Sequence, residues 1–121
     1  METVTKKNSL RKNDDYKRCY RYGNSYISRY LVLYVISNDQ EYNRIGISVS
    51  KKIGNSVIRH RIKRLVKESV RLHFSELKQG RDLVFVGRKA ANGASYFQIE
   101  ETVMYLLKKA DCCVKVQEKK P

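Results

Sequence analysis

The sequence predicts a small α+β domain: a two-layer sandwich with the order helix, strand, strand, strand, helix, strand, helix around one four-stranded sheet. Three observations predict it. Residues 30–36 and 82–87 are short apolar runs rich in β-branched and aromatic side chains, each bounded by turn formers. Residues 56–72 and 95–110 instead repeat their apolar positions at helical spacing. The longer of those helices lies between two strand-like runs, as in a strand–helix–strand crossover. With 121 residues and 41% hydrophobic content, the chain can fill one modest core, so residues 1–121 read as a single domain. Residues 1–12 read as a flexible basic arm and 111–121 as a flexible polar tail.

Taken in order, the first helix begins at Asn13, a natural cap, and Asp14 and Asp15 suit the positive end of the helix dipole. Gly23 stops it after Tyr22. Tyr16, Cys19 and Tyr20 share one face, which can dock on the sheet or offer stacking platforms to bases. Residues 24–28 make a short edge strand. In 30–36, Tyr30, Val32, Tyr34 and Ile36 share one face, and Leu31, Leu33 and Val35 the other. The polar stretch 37–43, with Asn38-Asp39 as turn formers, reads as a hairpin loop that returns 44–50 as an antiparallel strand. There Ile45, Ile47 and Val49 point one way. Gly46, Ser48 and Ser50 point the other, leaving either a solvent face or a floor open to close approach.

Residues 51–71, KKIGNSVIRHRIKRLVKESVR, hold eight cations against the single acid Glu68, half of the chain's formal charge of +14. Gly54-Asn55 turns the chain, Asn55 or Ser56 can cap the helix, and the free N–H groups then sit among cations as an anion site. Ile58, Ile62, Leu65, Val66, Ser69 and Leu72 fall on a core-facing seam. Arg59, His60, Lys63, Arg64, Lys67 and Arg71 spread across the opposite side, with Arg61 at its edge. A solvated basic face is the ordinary reading of such a helix. Here acids for i,i+4 pairing are nearly absent, so the cations repel one another until a polyanion neutralises them. A turn at 78–81, the buried strand 82–87 and the basic loop 88–93 follow. Ser95 and Gln98 form a capping box, and Tyr96, Ile99, Val103, Leu106, Leu107 and Ala110 give the last helix its buried stripe.

The chemistry of a protein nuclease is missing from this pattern. The twelve acids are scattered, and His60 and His73 make no obvious acid–base pair. Cys19, Cys112 and Cys113 lack metal-ligand spacing. Reduced thiols are expected, with a strained Cys112–Cys113 disulfide the alternative. No apolar run has the length of a membrane span or the place of a signal peptide, so a cytoplasmic protein is expected. A nucleic-acid-binding protein without its own catalytic centre fits best.

The run R-I-G-I-S-V-S-K-K-I-G-N-S-V-I-R-H-R-I-K-R, residues 44–64, resembles the signature of the bacterial ribonuclease P protein subunit. That family typically reads S-K-K-x-G-N-A-V-x-R-N-R-x-K-R, so Ser56 stands at the usual Ala and His60 at the usual Asn. The resemblance extends over nearly the whole chain. It implies a left-handed crossover and a monomeric subunit of a ribonucleoprotein endonuclease that removes the 5′ leader of precursor tRNA. Catalysis would reside in the RNA, with Mg²⁺ held mainly by that RNA and no cofactor intrinsic to the protein. The resemblance places Lys51, Lys52, Gly54, Asn55, Arg59, His60, Arg61, Lys63, Arg64 and Lys67 against the ribonuclease P RNA. It places Lys12, Tyr16, Tyr20, Tyr34, Ser48, Ser50, Arg88 and Lys89 along the single-stranded leader. Two rivals are a structural RNA-binding module of ribosomal-protein type and a protein-only nuclease.

Overall fold

A computed structural model describes residues 4–114. Its elements are α1 (Asn13–Tyr22), β1 (Asn24–Ile27), β2 (Leu31–Ser37), β3 (Arg44–Ser48), α2 (Ser56–Leu72), β4 (Arg81–Gly87) and α3 (Tyr96–Lys109). Short 3-10 turns occupy Lys6–Asn8, Phe74–Glu76 and Lys89–Ala91. The seven main elements come in the expected order and form one four-stranded sheet.

The strand order is β1-β2-β4-β3. β4 pairs antiparallel with β2, with Leu33 opposite Phe85, and parallel with β3, with Ile45 opposite Leu83 and Ser48 opposite Val86. The expected hairpin between β2 and β3 is therefore not formed, because β4 lies between them. Burial explains this arrangement. Leu83, Val84 and Phe85 are apolar on both faces and wholly buried, which requires a central strand. β3 contains Gly46 and Ser48 and is the weaker candidate for the centre. The loop 37–43 closes onto the start of β4 instead: Asn38 N donates to Gly80 O at 2.9 Å, and Arg81 N donates to Asn43 Oδ1 at 2.9 Å.

Beside that loop lies a polar centre. Asp82 is 0% exposed and accepts from Arg44 Nε and Nη2, each at 2.8 Å, and from Asn38 Nδ2 at 2.9 Å. Arg18 of α1 reaches the same carboxylate at 3.3 Å. Two cations and an amide compensate a charge that could not be buried alone.

Leu31, Leu33, Val35, Leu83 and Phe85 form the principal core with Ile62, Val66 and Val70 of α2 and Ile99, Val103, Leu106 and Leu107 of α3. On the other sheet face, Val84 meets Cys19 and Leu10, with Tyr16, Tyr34, Ile36 and Val86 packed around them. The helix α1 thus adds a partial third layer to the two-layer arrangement. Tyr30 precedes β2 and leans on the principal core instead of sharing the face of Tyr34.

Several local expectations shift. Lys12, not Asn13, holds the cap position of α1, and no side chain caps the helix there. Gly23 ends α1 at φ −78°, so its value is not a left-handed turn. A Cβ there would lie 2.5 Å from Cys19 O and 2.8 Å from Val35 O, so the bare backbone permits close approach of helix and strand. Leu72, expected in the core, is 50% exposed, and Val70 is buried in its stead. Leu72 is the last residue of α2; beyond it Phe74 and Leu77 supply the buried apolar contacts.

From Thr5 onward the arm is fastened down. Asn8 is buried and donates Nδ2 to Asn43 O at 2.7 Å. Ser9 bridges Ile45 in parallel, and Leu10 N donates to Ile45 O at 2.9 Å. At the other end, Leu77 bridges Cys113 and Val114 N donates to Glu76 O at 2.7 Å, so 111–114 are also held. The rest of the expected arm and tail, residues 1–3 and 115–121, lies outside the described residues. All three cysteines are free thiols in this structure. Among the described residues, no helix is long and apolar enough to cross a membrane.

Candidate nucleic-acid interface

The presentation of α2 begins at its cap. Asn55 Oδ1 accepts from Ile58 N at 3.0 Å, and Ser56 is the first helical residue. Gly54 is bare because a Cβ there would lie 2.9 Å from Ile58 Cγ2. Lys51 and Lys52 are exposed in the turn just before. His60, Lys63, Arg64 and Lys67 are exposed along the helix, and these three cations pair with no carboxylate among the described residues. Two expected members of this face are partly engaged elsewhere. Arg59 Nε donates to Gly54 O at 3.2 Å, and Arg61 Nη2 donates to Ala94 O at 2.9 Å, ahead of α3. Arg71 pairs with Glu68.

The tyrosines converge from two elements. The ring of Tyr20 stands edge-on to that of Tyr34 at 5.0 Å between centroids and tilted to Tyr16 at 6.4 Å. Tyr20 is 40% exposed, the most accessible ring of the three. Tyr16 lies flat against β3, where a Cβ on Gly46 would fall 2.6 Å from its hydroxyl oxygen. The small face expected at Gly46 and Ser48 is thus a floor, and at Gly46 the chain's own Tyr16 covers it. The Tyr16 hydroxyl donates to Leu10 O at 3.3 Å. Burial raises the pKa of Tyr16, opposed by a hydrogen bond from the Ile47 backbone. Burial likewise raises that of Tyr20, opposed by a hydrogen bond from the Ser48 side chain. Both are neutral rings with hydroxyls anchored on β3, suited to stacking. Burial pushes the Cys19 thiol, between them on α1, up to about 11, so it is an inert packing group.

A groove of about 380 Å³ runs past Tyr16, Tyr20 and Ser48, with Asn13 and Lys17 from α1 and Lys63 from α2 along its walls. Tyr34 stands behind Tyr20. Lys12 and Ser50 are exposed beside groove residues Asn13 and Val49. Arg88 and Lys89 are not brought in: neither lines the groove, and Arg88 Nη1 donates to Ser28 O at 2.6 Å beyond the end of β4. Sequence reasoning missed Asn13 and Lys17, although Asn13, Tyr16, Lys17 and Tyr20 follow the i, i+3, i+4, i+7 spacing of one helix face. Among the described residues, no three His, Cys, Asp or Glu side chains converge in a way that fits a metal ion. The groove therefore offers rings, hydroxyls and cations to a ligand, which is the equipment for holding a single-stranded polyanion.

Residues 4–111 match the protein family described as Ribonuclease P. The chain is 52% identical over 106 residues to the ribonuclease P protein component of Clostridium botulinum strain Langeland, covering 87% of this chain and 96% of that one. It is 51% identical over 107 residues to the corresponding protein of Clostridium acetobutylicum, covering 87% and 90%. The fold superposes on the RNase P protein of Staphylococcus aureus with a TM-score of 0.83 at 34% identity, covering 88% of this chain and 98% of that structure. For the RNase P protein of Thermotoga maritima the TM-score is 0.77 at 28% identity, covering 84% and 96%.

Proposed function

The chain belongs to the ribonuclease P protein family, and from that premise we propose that it is the protein subunit of a ribonucleoprotein that matures the 5′ ends of tRNA. In this reading the α2 face holds the ribonuclease P RNA and the tyrosine groove holds the single-stranded leader of precursor tRNA. Cleavage is carried out by the RNA. In the same reading Mg²⁺ serves the assembled enzyme and is held mainly by RNA. The subunit acts in the cytoplasm and is a monomer apart from its RNA.

One observation carries the division of labour: Lys63, on the cationic helix, also lines the tyrosine groove. A strand stacked on Tyr20 would pass directly beside the surface that faces the catalytic RNA. The protein can then act by position and charge alone, neutralising phosphates where two RNAs approach each other and holding the leader in line. Stacking suits this task because leaders differ in sequence, and every base offers a π-face.

The test is a split between assays on the assembled enzyme. Tyr20→Ala should weaken precursor tRNA with a leader by about 1–3 kcal/mol while leaving mature tRNA and assembly unaffected. Lys67→Ala should instead weaken assembly, so that excess protein restores cleavage. Equal losses from Tyr20→Ala on leader-bearing and leaderless RNA would refute the groove assignment.

A further inference from the structure

A second depression adjoins the tyrosine groove. It measures about 420 Å³ and lies between the N-terminal arm, the outer edge of β3 and α2. Its floor is apolar, made by Leu10, Ile45, Ile47 and Val70. His60, Lys63, Arg64 and Lys67 stand along the α2 side. A further hollow of about 450 Å³ continues it between Arg11 and Lys6 of the arm and Lys67 and Arg71 of α2. No acidic side chain lines either space. The arm is a fixed wall, fastened by the Ser9–Ile45 bridge and by Asn8 Nδ2 on Asn43 O at 2.7 Å.

We propose that this arm–α2 groove binds single-stranded RNA as a continuation of the tyrosine groove, taking leader nucleotides farther from the cleavage point, so that Lys63, Arg64 and Lys67 serve the leader where they line the groove as well as the ribonuclease P RNA. The proposal rests on the leader reading above. Three features support it. Lys6, Arg11, Lys63, Arg64 and Lys67 pair with no carboxylate among the described residues, so two walls of like charge face each other and favour a polyanion between them. The floor offers apolar contact to bases or riboses. A duplex turns its bases inward and would leave that floor bare. Ile47 and Lys63 line both this depression and the tyrosine groove, so one strand can pass from Tyr20 over the edge of β3 without leaving protein.

The experiment measures affinity of the holoenzyme for precursor tRNAs whose leaders are graded from about 4 to about 16 nucleotides, a span typical of single-strand sites. For the unmodified chain, affinity should keep rising after the leader outgrows the tyrosine groove. In Lys6→Ala/Arg11→Ala that late rise should flatten, with the salt slope for the longest leader falling by about 0.7 per lost phosphate contact. Lys6→Arg/Arg11→Lys, which keeps the charge, should retain most of the rise. Both wall residues are exposed, so matched thermal melts can establish that the fold is intact. A plateau in the unmodified chain, an unaltered rise in the alanine variant, or an equal loss at every length including leaderless tRNA would each overturn the proposal. Tyr20→Ala in the same series reports on the underlying reading separately: that reading fails if short and long leaders bind this variant as they bind the unmodified chain.

Discussion

At the scale of single residues, the tyrosines that share a helix face divide their work. Tyr16 is bound into the structure through Gly46, Leu10 and Ile47, whereas Tyr20 keeps an open ring. Tyr16→Phe should therefore cost about 0.5–1.5 kcal/mol of stability, read from denaturant midpoints, by removing the hydroxyl that joins α1 to Leu10 of the arm. Gly46→Ala should cost about 1–3 kcal/mol, since its methyl group collides with that ring. The small face of β3 was legible in the sequence. Its occupant was not, because the contact joins segments about thirty residues apart and no local pattern encodes it. Asp82 was equally hard to read: its strand looked buried, but Arg18, Asn38 and Arg44 come from three other segments. Asp82→Ala should destabilise the fold by about 3–5 kcal/mol by leaving Arg44 without its buried partner. A double-mutant cycle with Arg44→Ala would measure that coupling.

At the scale of elements, periodicity located the longer helices and strands, because each one's apolar repeat is local, but not the short 3-10 turns. It misjudged who pairs with whom. The loop 37–43 looked like a hairpin turn because its residues favour turns, yet strand neighbours are decided by which strand can bury both faces, and that is β4. The join of α2 to α3 was also hidden. His73 sits between Glu76 at 2.9 Å and Glu100 at 3.0 Å, tying the end of one helix to the flank of the other. Burial lowers its pKa, but the two carboxylates outweigh this and hold it above its ordinary 6.5. A raised folded-state pKa means that the clasp contributes fully below pH 6.5 and is lost as pH rises through the folded value. The site is partly solvated, so the contribution is no more than about 1 kcal/mol. Urea unfolding of the unmodified chain and His73→Gln should show a stability gap that narrows from slightly acidic to alkaline pH.

At the scale of the whole molecule, a charge of +14 makes long-range attraction part of any binding to RNA. Arg64→Ala and Lys67→Ala should each lower the slope of log affinity against log salt by about 0.7–0.9, whereas changes to Tyr20 should leave the slope as it is. The cationic helix was plain in the sequence because charge needs no folding to be counted. The meeting of its Lys63 with the tyrosines was not, since it depends on how β3 and α1 are stacked. The central position of β4 bears on how the molecule is made. As the chain leaves the ribosome, β1 and β2 can pair at once, but β3 has no sheet partner until Arg81–Gly87 emerges, two-thirds of the way along. Until then α2 has no completed floor to fold onto, and closing that gap costs the entropy of a long loop. A nascent chain stalled before β4 clears the exit tunnel should therefore be degraded by protease throughout 44–72, and one stalled after both β4 and α3 have emerged should resist. Birth order makes the sixth main segment of this small protein the guard of its fourth.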